Sequence, residues 1–296
     1  RRARRILPAL FTVTLFSLIF SVFIMRDDSL ELFSRQVFSV IFFISNFYFW
    51  KNSGYFNPNS EVQPLLHTWS LSVEEQFYII FSLLFFLIYK KKLIPKNFIL
   101  ILFFLSLFLS QFSGYMISDE TNIKNDNFLL NQSIYFSFYS PLGRFWEFLF
   151  GSIIAIYQSK KLINKTVSSL SKNILSLVGF IFILLIFFFD KENVISPSFF
   201  LFLPLFGVFL LIFFADASTI IGKFLSQKVL VFIGKISYSI YLIHFPIIVL
   251  AKYNNFDITN KYKLLIFFIV IFFSYLSWRY IEKPFRNKKV ISNKNF

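Results

Sequence analysis

The chain has 296 residues, 56% of them hydrophobic and 22% aromatic, with thirty Lys and Arg against fifteen Asp and Glu for a net charge of +15 and no Cys. Only 15% of residues are charged, where soluble domains carry about 25%, which excludes an ordinary water-soluble globule, and the same apolarity excludes disorder. The lack of Cys excludes a disulfide scaffold or thiolate metal site, and basic residues scattered in short clusters between apolar runs do not make a nucleic-acid-binding face. A polytopic, all-α membrane protein remains.

The chain opens on Arg1, Arg2, Ala3, Arg4 and Arg5 directly before an apolar run, with no Met, and reads as a piece of a longer protein. A membrane-crossing helix needs about 20 predominantly apolar residues. Such runs fall near 6–25, 69–89, 98–117, 132–157, 174–189, 198–215, 236–251 and 264–281, which predicts eight crossings. A ninth run, Val37 to Trp50, is short and rich in aromatics, and suits an interfacial or re-entrant segment. With the Arg cluster in the cytoplasm, twenty Lys and Arg fall in cytoplasmic segments and eight in outer ones, while Arg144 and Arg279 lie within spans. That bias follows the positive-inside rule and predicts that residues 26–68 stay outside. Counting Val37 to Trp50 as a crossing would reverse every later loop.

Ionisable groups within spans are costly and face a bundle interior or a watery cavity, so each is a functional candidate. Glu74 and Glu75 lie near the outer end of the span beginning at Trp69, about 100° apart around the helix, so they do not face one cavity equally. Arg144, Glu147 and Gly151 share a helix face, as either a structural ion pair beside a close-packing glycine or a functional polar patch. Ser237, Tyr241 and His244 form a polar stripe on an otherwise apolar helix, with Pro246 expected to kink its outer end. A His beside hydroxyls serves either as an acid or base or as a hydrogen-bonded packing element. His67, before Trp69, is the only other His, and two His without Cys make no metal site. The residues alone leave an enzyme and a transporter both open.

Five motifs occur in one order: RRARRILPAL (Arg1 to Leu10), HTWSLSVEEQFY (His67 to Tyr78), GRFWEFLFG (Gly143 to Gly151), ISYSIYLIHFP (Ile236 to Pro246) and YIEKPFR (Tyr280 to Arg286). In that order and spacing the chain resembles the membrane acyltransferase-3 family, whose similar members are bacterial O-acetylases of lipopolysaccharide, peptidoglycan or other envelope glycans.

The resemblance implies a membrane acyltransferase domain over residues 1–286 that lacks its first two helices, then a basic cytoplasmic tail over 287–296. It implies that the family's catalytic His, preceded by an Arg, lies on a helix upstream of Arg1, so that His244 does not take its place and the piece alone is inactive. The family's Arg-x-x-Arg falls on Arg1 with Arg4 or on Arg2 with Arg5, as the mouth for acetyl-CoA. Guanidinium forks pair bidentately with phosphates, although four Arg before a helix also set orientation. Glu74 matches the family's carboxylate, whereas Glu75 stands where some members are apolar. Glu74 then either orients the catalytic His or the acceptor hydroxyl, or ties helices together. His67, Trp69, Glu75, Arg144, Glu147, Tyr241 and His244 form an acceptor-side or structural polar core. No cofactor is implied beyond acetyl-CoA as donor, and the partners are an envelope glycan or lipid-linked saccharide and the bilayer of the bacterial inner membrane. The outer loop and Pro64, Leu65, Leu66 resemble members that continue into an extracytoplasmic hydrolase-like domain. The rival reading is a transporter or flippase of glycan precursors, which would show a repeat of its helices; none is visible between the halves.

Overall fold

The computed structural model describes residues 2–52, 63–90, 98–115, 136–159, 167–188, 201–253 and 260–287. Among them there is no strand. The helices in chain order are α1 (Ala3–Ile24), α2 (Asp27–Ile41), α3 (Ser45–Asn52), a 3-10 turn (Leu66–Thr68), α4 (Trp69–Lys90), α5 (Phe98–Tyr115), α6 (Pro141–Ser159), α7 (Ser169–Leu185), α8 (Phe202–Phe214), α9 (Ile220–Leu225), α10 (Lys228–Tyr253), α11 (Asn260–Ser277), a π turn (Trp278–Glu282) and α12 (Lys283–Arg286). They form two compact units, one of Arg1–Ser72 with Val229–Phe296 and the other of Val73–Lys228.

By length and composition, four stretches among the described residues are long and apolar enough to cross a membrane: Ala3–Ile24, Leu66–Leu87, Lys228–Tyr253 and Tyr262–Arg286. Phe98–Gln111, Ser169–Leu185 and Phe202–Phe214 are apolar but shorter. The helices are inside out by the standards of a soluble protein. On α1 the buried positions include Arg4, Thr14, Ser17 and Ser21, while Phe11, Phe16, Phe20 and Phe23 are exposed. On α11, Ser274 and Ser277 are buried and Phe267, Phe268, Phe272 and Phe273 are exposed. Small and polar residues at contacts with large apolar ones outside are what lipid as a solvent selects.

The Val37 to Trp50 run is not one segment. α2 starts on Asp27 and Asp28, whose charges favour a helix N-terminus, and ends at Ile41. Phe43 then takes φ 54°, a left-handed conformation costing a side-chain-bearing residue about 1–2 kcal/mol, and its ring packs on the core of Ile6, Leu10, Phe33 and Leu242. α3 is anchored at its start, where Ser45 Oγ lies 2.7 Å from Ser72 Oγ and accepts from Thr68 Oγ1 at 3.3 Å. At 1.5 Å per residue, α2 and α3 rise only about 22 and 12 Å, each short of a bilayer core of roughly 30 Å.

In the second unit the expected span 132–157 is interrupted at Ser140, and α6 starts at Pro141. Pro has no amide hydrogen and disfavours helix in the residue before it, so the chain turns there. The turn brings backbone so close that a Cβ on Gly143 would lie 2.7 Å from the Ser137 carbonyl oxygen. α6 packs on α5, and α7 on α8 through a reciprocal glycine contact: a Cβ on Gly179 would sit 2.8 Å from the Gly207 oxygen, and one on Gly207 2.6 Å from the Gly179 oxygen. The loop after α8 is held by Asp216. Its carboxylate accepts from the Ser218 hydroxyl, from Lys172 Nζ at 3.0 Å and from the Ser218 amide at 2.8 Å, and these partners, the Ser218 hydroxyl first, hold its pKa well below the usual carboxylate range. α10 runs unbroken through Pro246 and begins eight residues before the expected 236.

Candidate functional site

The Arg cluster occupies the first turn of α1, with Arg2 as its N-cap. Arg4 is 6% exposed and points inward; Arg2 is half-buried and Arg5 exposed. Of the two Arg-x-x-Arg registers, Arg2 with Arg5 is therefore the one without a buried member among the described residues. Arg1 lies outside the described residues. The turn is gripped from the rest of its unit: Tyr238 Oη donates to the Ile6 carbonyl at 3.0 Å, and α1 packs on the π turn and α12. At the end of that π turn Glu282 is fully buried, accepts a hydrogen bond from Ser239 Oγ, and feels the positive charges of Arg286 and Arg5.

Glu282 and Ser239 were not singled out by the sequence, because 282 falls just past the apolar run ending near 281 and Ser239 is off the Ser237, Tyr241, His244 stripe. A signal was present in the Glu of YIEKPFR, an acid at a span end facing basic residues. The stripe itself is only partly internal. Ser237 is exposed and donates to the Gly234 carbonyl at 3.0 Å, whereas Ser239 is buried.

The structure brings His67, Tyr241 and His244 together within the first unit. Tyr241 Oη donates to the His67 carbonyl at 2.6 Å and lies 2.9 Å from Ser70 Oγ. The His67 ring centroid is 5.1 Å from that of Tyr241, 5.4 Å from that of His244 and 5.3 Å from that of Phe245. Trp69, next to this group in sequence, is half-buried, as are Glu74 and Glu75 further along α4.

Arg144 and Glu147 form an ion pair at 2.6 Å in the second unit. Arg144 Nε also donates to the Phe138 carbonyl at 3.2 Å, and the guanidinium carbon lies 5.1 Å from the centre of the Phe138 ring. These contacts bind α6 to the residues before its break. Among the described residues the close packing expected at Gly151 is not found: its Cβ would meet nothing within 4 Å, and the tight approach is at Gly143. A turn forced by proline, rather than a small residue on a helix face, sets where backbones touch. Among the described residues no group of three His, Cys, Asp or Glu is placed to hold a metal.

A family profile described as an acyltransferase domain matches residues 1–281. The chain belongs to the acyltransferase-3 family. It is 32% identical over 299 residues to the O-acetyltransferase OatA of Staphylococcus aureus strain NCTC 8325, and equally so to OatA of strain MRSA252, covering 97% of this chain and 47% of theirs. The chain thus spans about half the length of these curated relatives. No solved structure matches it. An acyltransferase domain built of apolar helices with inward polar groups accords with the membrane character read from composition, and sets aside the transporter.

Proposed function

We propose that this domain serves a membrane-bound O-acetyltransferase, which takes an acetyl group from cytoplasmic acetyl-CoA and places it on a hydroxyl of a cell-envelope glycan, in the bacterial cytoplasmic membrane crossed eight times by this part of the chain. The observation that carries this reading is the Arg2–Arg5 turn. Arg2 and Arg5 stand three apart in the first turn of α1, neither of them fully buried, so two guanidiniums share one end of the helix. The phosphates of acetyl-CoA form a polyanion, which a pair of guanidiniums meets bidentately. The names of the relatives, O-acetyltransferases, supply the acyl group and the oxygen acceptor.

Glu74 is assigned a supporting role on the acceptor side, as the carboxylate of the HTWSLSVEEQFY motif. α4 rises about 1.5 Å per residue from Trp69, so Glu74 lies roughly 8 Å in from that end, whereas the Arg turn opens on the opposite face if positive charge marks the cytoplasm.

The test is acetyl transfer by the full-length protein in proteoliposomes. Replacing Arg2 and Arg5 together by Gln is expected to raise the KM for acetyl-CoA at least tenfold and to flatten its salt dependence, since fewer charged pairs remain to be screened. Replacing Glu74 by Gln is expected to lower kcat with the acetyl-CoA KM unchanged. An Arg2, Arg5 double variant with unaltered acetyl-CoA KM would overturn the donor assignment.

A further inference from the structure

His67 and His244 stand 177 positions apart in sequence and meet within one unit, and their chemistry differs. His244 Nδ1 lies 2.8 Å from the Tyr241 carbonyl oxygen and 3.0 Å from that of Ile240. A carbonyl oxygen only accepts, so Nδ1 carries the hydrogen, and in that tautomer Nε2 keeps a lone pair as an acceptor. The ring is half-buried, so this nitrogen is within reach of a ligand. His67 forms the wall behind it. It is 8% exposed, and both of its ring nitrogens are sealed from water without a well-formed hydrogen bond.

Leaving a buried imidazole unpaired costs stability that an apolar ring of similar size would keep. The arrangement is nevertheless locked: Tyr241 Oη fixes the His67 backbone, Ser70 meets the same hydroxyl, and Phe245 closes one side. What this site offers a ligand is one oriented imidazole acceptor in an aromatic surround. Two rings with no third ligand among the described residues do not suit a metal, and a lone pair repels an anion. The matching group is a hydroxyl, which donates to Nε2 while the carbon skeleton that bears it lies on the aromatic rings.

The geometry points to His244 Nε2 as the group that holds the acceptor hydroxyl, with His67 as the positioning residue that fixes the His244 ring, a role that rests on the acetyl-transfer reading. Its place along α10 fits. His244 lies nine residues before the helix end at Tyr253, about 14 Å, on the side away from Lys228 and Lys235 and thus toward the envelope.

The experiment uses the full-length protein in proteoliposomes with acetyl-CoA and chitotetraose as the acceptor probe, followed by mass spectrometry. His244→Phe is expected to raise the chitotetraose KM at least tenfold while the acetyl-CoA KM stays within twofold. His244→Gln, which restores an acceptor atom, is expected to recover most of the loss, and His67→Phe to shift the chitotetraose KM the same way by less. In the unsubstituted protein, diethylpyrocarbonate is expected to modify His244 and not His67, with protection by chitotetraose and none by acetyl-CoA. Unchanged acceptor kinetics in His244→Phe, an equal shift in both KM values, or failure of chitotetraose to protect His244 would overturn the role of His244 and leave acetyl transfer standing. A wild-type protein that acetylates neither chitotetraose nor peptidoglycan strands nor lipopolysaccharide would remove the acetyl-transfer reading and this role with it.

Discussion

At the scale of single residues, what decides a polar group's meaning is whether it has been taken out of lipid and water, and by what it is paired. Ser237 and Ser239 are two positions apart on α10, yet one is exposed and bonded to its own helix while the other is buried and donates to the Glu282 carboxylate. A hydrogen bond to a charged group contributes about 1.5–3 kcal/mol, and a surface hydroxyl about nothing. Ser239→Ala is therefore expected to lower the thermal midpoint of the detergent-solubilised protein by several degrees, with Ser237→Ala leaving it unchanged; equal midpoints would mean that Glu282 does not depend on this donor. The helical spacing that put Ser237 with Tyr241 and His244 on one stripe was sound as geometry. Exposure was not contained in it, because the partner that covers Ser239 arrives from a segment more than forty positions later.

At the scale of elements, the apolar runs were legible and their ends were not. Hydrophobicity located α1, α4, α5, α7, α8, α10 and α11, since a helix in lipid needs an unbroken apolar run and an internal hydrogen-bond ladder. It did not show that 132–157 breaks at Pro141, nor that Val37 to Trp50 is divided by a left-handed Phe43. Helix pairing is likewise invisible in apolar runs, because lipid is as apolar as leucine and contact is decided by shape. The α7 and α8 contact is the clearest case. With Gly179 and Gly207 each touching the other's backbone, Gly179→Val or Gly207→Val must push the helices apart, and either is expected to cost about 1–3 kcal/mol of stability. Gly151→Ala, which opens onto empty space, is the matched control and is expected to be neutral in the same unfolding assay.

At the scale of the whole molecule, the sidedness of the chain follows from its charges. Cys introduced at Ser34 on α2 is expected to react with a membrane-impermeant maleimide in intact spheroplasts, and Cys at Ser226 after α9 only once the membrane is opened; both positions are exposed. Labelling of the Ser226 site in intact spheroplasts alongside the Ser34 site would mean that the Val37 to Trp50 run crosses the bilayer. Sequence by itself determined the membrane character, the helical class and the family, because all three depend on quantities summed or ordered along the chain: apolar run length, net charge by segment, and five motifs in register. It also marked Glu74, Glu75, Arg144, Glu147 and His244 as ionisable residues that lipid would not tolerate without a reason, and the resemblance added Arg2 with Arg5 at the cytoplasmic mouth. Only the tertiary structure decided which Arg is buried, that His67 and His244 meet, that Arg144 is consumed by its own turn, and that Glu282 is buried against Ser239. Each of these depends on which surfaces come within a few ångströms of each other, and a distance of that kind between residues far apart in the chain is set by packing and chain reversal, not by local sequence.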